Sequence, residues 1–112
     1  SPKNTNINAL LASAFSLEVE SLIKQNSKNA DEFVEKGVKA SEQALIANAN
    51  NADAYVSKAE LYLLSASIQT DKNKAKELAI KAQESLQKAL SLNKLLEKEN
   101  QILAGKINKA LS

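Results

Sequence analysis

Apolar residues recur along this chain at intervals of three and four, in five stretches separated by short polar runs rich in Asn. That spacing places them on one face of a helix turning every ~3.6 residues. The first stretch predicts a helix over 7–25, with Leu10, Ala14, Leu17 and Ser21 on one face and Leu11, Phe15, Val19, Leu22 and Ile23 widening it. The second predicts a helix over 30–47, with a stripe of Phe33, Val34, Gly37, Val38, Ser41, Ala44 and Leu45. Asn29 stands where a cap belongs, and Asp31 and Glu32 fill the first turn, where the helix dipole favours anions. The third predicts a helix over 52–69, capped by Asn51, with Tyr55, Ala59, Tyr62 and Ala66 in register. The fourth runs over 74–92 through Ala75, Leu78, Ala79, Ala82, Leu86, Ala89 and Leu90, and the fifth over 95–111. No segment alternates with a period of two, so no strand is expected. No Gly/Ser/Pro linker divides the chain, which reads as one domain over 1–112.

The pattern repeats when the chain is laid on itself with an offset of 45 residues. Ala14, Ala59 and Ala104 coincide, as do Leu17, Tyr62 and Ile107. Phe33 meets Leu78, Ala44-Leu45 meets Ala89-Leu90, and Asn48 meets Asn93. The coincidences fall on small residues where helices cross closely, on large ones that fill the gaps, and on the turn Asn. Gly37 matches Ala82 and reads as another point of close helix approach.

Those positions carry a resemblance to the tetratricopeptide repeat (TPR) family. Its unit is a helix hairpin of about 34 residues, with an aromatic and a small residue in the first helix and small residues in the second. Asn51-Ala52-Asp53-Ala54-Tyr55 resembles the opening of such a unit, with Ala59 at the small position and Tyr62 at the aromatic one. Gln87-Lys88-Ala89-Leu90-Ser91-Leu92-Asn93 resembles its close, with Lys94 in place of the usual Pro. The first unit diverges more, opening on Leu10, Ala14 and Leu17. Leu103, Ala104 and Ile107 resemble the start of a third. The period exceeds the family's by about 11 residues, or about three helical turns, which lengthened hairpin tips would absorb. The resemblance implies an all-α, TPR-like α-α superhelix: a hairpin over 7–48, a second over 52–93, and a capping helix over 95–111. Elongated units of this kind are similar to helical repeats that accompany kinase or signalling modules in some bacteria.

In that family the first helix of each hairpin lines a concave surface that holds a peptide or helix. By resemblance the residues placed there are Leu11, Phe15 and Val19, then Val56, Glu60, Leu63 and Leu64, then Lys98 and Gln101. The expected function is a non-catalytic protein–protein interaction scaffold. The alternative is a regulatory or dimerisation segment of a larger bacterial enzyme such as a Ser/Thr kinase. A competing account of the same residues is that the long hairpins bury them or that they mediate self-association, since an apolar stripe is core by default. The Lys and Asn clamp by which some TPR proteins hold a terminal carboxylate is missing, because Leu11 and Phe15 occupy its places. Tyr55 and Tyr62, at helical spacing within a repeat, read as packing residues.

Composition narrows the chemistry. At 112 residues the chain supports a core without staples. It has no Cys, His, Trp, Met or Arg, so the usual zinc sites and nucleophile–base pairs have no components, and neither an enzyme nor a cofactor is expected. The formal charge is +2, with every base a Lys and the acids interspersed, so nucleic acid is not an expected partner. Glu18 and Glu20, like Glu97 and Glu99, are two apart on helices and point in different directions, which reads as solvated charge. No apolar run reaches the ~20 residues that span a bilayer. Absence of Cys fits cytoplasm or periplasm, with the cytoplasm favoured. The opening Ser1-Pro2, without Met, reads as a fragment or a processed product.

Overall fold

The computed structural model describes residues 30–112. The helix expected over 7–25, with Leu11, Phe15 and Val19, lies outside the described residues. Within them the chain forms α1 (Ala30–Ala47), α2 (Ala52–Ser67), α3 (Lys72–Leu92), α4 (Leu96–Glu99) and α5 (Gln101–Leu111), and no strand. The all-helical class expected from periodicity is what these residues adopt.

Local chemistry sets the ends. In α1, Asp31 and Glu32 occupy the first turn, and Glu32 pairs with Lys36 one turn later at 3.2 Å. Both groups are well exposed, so the pair adds only a few tenths of a kcal/mol, ~0.3–0.5. The chain then reverses within a tight Asn-rich turn. Asn48 Oδ1 accepts from the Asn50 amide at 3.0 Å, and Asn51 Oδ1 accepts from the Ala54 amide at 3.2 Å to start α2. Asp71 caps α3 by accepting from the Asn73 and Lys74 amides. Thus α3 begins two residues earlier than the sequence pattern suggests. What reads as an interrupting polar run, Thr70-Asp71-Lys72-Asn73, is a cap followed by the first turn. In turn, α2 stops at Ser67 rather than 69, where the Gln69 side-chain amide donates to the Ser65 carbonyl at 3.2 Å.

The expected helix over 95–111 is divided at Asn100. Its side-chain amide donates to the Leu96 carbonyl at 2.8 Å, and its backbone amide is shared between the Leu96 and Glu97 carbonyls. An Asn side chain that competes for backbone groups in this way interrupts a helix without Gly or Pro.

Packing follows two clusters. The larger joins Val56 and Ala59 of α2, Ala82, Leu86 and Ala89 of α3, and Ile107 of α5, with Tyr55, Tyr62, Leu63, Leu90, Leu103 and Ala104 packed around them. It couples the first half of α2 to the second half of α3, as an antiparallel hairpin requires. Ala59, Ala82 and Ala89 have no accessible surface, which lets the two helices approach closely. The smaller cluster joins Ala30 and Val34 of α1 to Leu61 of α2, flanked by Phe33, Val38, Leu64 and Ile68. Thus α2 is the central element: one side faces α3 and α5, the other α1. Leu61 is wholly buried, and its burial is worth about 1.5–3 kcal/mol. α5 lies chiefly on α3 and touches α2.

Candidate interaction groove

The buried stripe of α1 is mostly small: Ala30, Gly37, Ser41 and Ala44 beside Val34. The Ser41 hydroxyl is satisfied within its own helix, donating to the Gly37 carbonyl at 3.1 Å. Among the described residues no buried side-chain nitrogen or oxygen lacks a hydrogen-bond partner, so no orphaned polar group marks a reactive centre there. No described helix is long and apolar enough to cross a membrane.

Tyr55 and Tyr62 are half-buried and packed against the central cluster, as their spacing suggests. Two cations also lie near the Tyr62 ring: Lys58 Nζ is 5.8 Å and Lys81 Nζ 5.7 Å from its centre. Lys81 belongs to α3, so this contact bridges the hairpin. Burial pushes the Tyr62 phenol above its ordinary value, and the negative charge of Glu42 on α1 adds to the effect.

The six described residues expected on a concave face have different fates. Val56 is 9 % exposed and belongs to the central cluster. Glu60 is half-buried within α2. Lys98 and Gln101 are exposed on either side of the Asn100 break. Leu63 and Leu64 are half-buried and adjoin one another at a shallow surface groove of about 360 Å³. Leu63 leans on the central cluster and Leu64 on the α1 cluster, so the groove floor lies where the two cores reach the surface. Ser67 of α2 and Lys106, Lys109 and Ala110 of α5 complete the walls.

Lys106, Lys109 and Ala110 are not among the residues that the resemblance places on a contact surface. The signal is present in the spacing: 106, 109 and 110 fall on one side of a helix, beside the Leu103–Ile107 packing edge. A second, smaller recess of about 150 Å³ lies between α3 and α5 beside Leu86, Leu90 and Ile107. It follows the seam of the core and adds no charged side chain.

The groove has a distinct electrostatic character. Residues 61–70 carry no charge, and residues 100–112 carry two Lys and no acid. The floor is apolar and the α5 wall cationic. Comparison with protein-family models, curated proteins and solved structures gives no match to this chain.

Proposed function

We propose that this chain is a non-catalytic protein–protein interaction scaffold of the TPR type, with the groove between α2 and α5 as its contact surface. The observation that carries this reading is the pair Leu63 and Leu64, contiguous and partly exposed in a groove between two helices rather than sealed in the core. Adjoining leucines at an open concavity offer a partner an apolar surface to cover. The α2–α3 hairpin closed on Ala59 and Ala89 supports the TPR likeness, as does the repeat offset that pairs Ala59 with Ala104 and Tyr62 with Ile107. In that arrangement α2 and α5 are the first helices of successive units, and the surface between them is the family's concave side.

The test compares proteins retained by the immobilised wild-type chain with those retained by Leu63→Ser and by Ile46→Ser. Ile46 is 79 % exposed on α1, away from the groove, and serves as the control. The expected result is a discrete set of partners lost with Leu63→Ser and kept with Ile46→Ser, at unchanged helical content by circular dichroism. Identical retention by all three chains removes the groove from the account.

A second reading, a dimerisation segment of a larger bacterial enzyme, draws on Leu95 and Ile102, which are 85 % and 76 % exposed outside the groove. Sedimentation that shows a concentration-dependent dimer, abolished by Ile102→Ser and indifferent to Leu63→Ser, would favour it.

A further inference from the structure

The walls of the groove are unequal, and the inequality specifies an occupant. On the α2 side lie Leu63, Leu64 and Ser67, in a stretch without charge. On the α5 side lie Lys106 and Lys109, both exposed and neither in an ion pair among the described residues. Lys109 stands in the last turn of α5, where the helix dipole alone favours a cation. Lys106 lies a turn earlier, and the dipole does not explain it. The 45-residue offset sets Lys106 against Leu61 and Lys109 against Leu64. In α2 these two positions serve the core: Leu61 is fully buried and Leu64 packs beside it. In α5 the same positions have become cationic and line the groove.

We propose, resting on the groove reading above, that the groove takes one amphipathic helix of a partner protein, presenting two aliphatic side chains a turn apart and flanked by Asp or Glu. The furrow between two helices is shaped for a third, which seats residues at i and i+4. The aliphatic pair covers Leu63 and Leu64. The acids lie over Lys106 and Lys109, whose charges face no acid on either wall. An anionic membrane surface would share the charge preference, but the leucines line a concavity, where a flat bilayer reaches them poorly.

The probe is a synthetic helical peptide with Leu at i and i+4 and Glu at i−3 and i+7, compared with Gln and Lys versions of the same peptide. Binding to the whole chain is read by fluorescence anisotropy. The Glu peptide is expected to bind about tenfold more tightly than the Gln peptide at low salt, with the Lys peptide weakest, since two exposed ion pairs are worth about that much together. The preference should shrink as salt shortens the screening length. Lys106→Glu with Lys109→Glu should invert the order of the Glu and Lys peptides, and Lys106→Gln with Lys109→Gln should level all three. Both pairs are exposed, so unchanged circular dichroism is expected, and the Gln pair answers the question if the Glu pair disturbs folding. Equal affinity for Glu and Gln peptides, with both lost in Leu63→Ser, overturns the charge inference and leaves the groove reading standing. Binding of none of the peptides overturns the inference also. Tight capture by phosphatidylserine vesicles that depends on Lys106 and Lys109 and exceeds that of the Glu peptide overturns it in favour of a lipid surface.

Discussion

Ala59 packs against α3 where the two helices of the hairpin meet. It has no accessible surface and shares its cluster with Ala82 and Ala89, also fully covered. Ala59→Leu is therefore expected to overpack the hairpin and cost about 1–3 kcal/mol in chemical denaturation. Ala49→Leu, in the exposed turn before α2, is expected to be nearly silent. Equal shifts for the two would mean that the alanine crossing does not hold the hairpin. Tyr62 gives a second residue-scale expectation. Its folded-state pKa is raised, first by burial and then by Glu42, so the folded state favours the neutral phenol. The corresponding stability is fully present below the ordinary phenol pKa of about 10 and is lost as pH rises through the raised folded value. Urea denaturation at about pH 8 and about pH 11 should show a larger loss for the wild type than for Tyr62→Phe. An identical loss would show that Tyr62 makes no contribution to the alkaline effect. Both positions were visible in the sequence, because small and aromatic residues at fixed helical spacing have few uses other than packing.

The helices themselves were legible from spacing, while their ends were decided by single side chains. α1 appears over the residues expected, since Ala30, Val34, Gly37, Ser41 and Ala44 define one uninterrupted face. The Asp71 cap is not legible in the pattern, because a polar run hides a cap as readily as it marks a gap, and the two differ only in whether an oxygen reaches the amides beyond it. The Asn100 break left no pattern at all, since the apolar period continues across it and only the side-chain bond to Leu96 reveals it. This break makes α5 a separate element, held chiefly by Ile107, which is 1 % exposed. Ile107→Ala is expected to cost about 2–5 kcal/mol. Hydrogen exchange should show α5 amides losing protection ahead of those in α2 and α3. Uniform loss along all three helices would show that α5 is integral to the hairpin rather than docked on it.

At the scale of the molecule, the groove arises because α2 is shared between two cores and α5 covers only part of the side it faces. The resemblance to the repeat family places Leu63 and Leu64 on an expected surface, but it does not say which residues of the stripe are sealed. Val56 is one turn from Ala59 and went to the core with it, because α3 and α5 close over that turn and leave the next one open. Lys98 of α4 and Gln101 at the start of α5, expected on the same surface, are exposed on either side of the Asn100 break and do not line this groove. If the groove receives another protein, site-specific photocrosslinking captures the contact where it forms. A photoreactive phenylalanine replaces Ser67 on the groove rim or, as a control, the exposed Ile46 on α1. The expected result is a discrete adduct from position 67 that disappears when Leu63→Ser is added, and no matching adduct from position 46. The same adducts from both positions, or an adduct from 67 that survives Leu63→Ser in a chain of unchanged helical content, would contradict it.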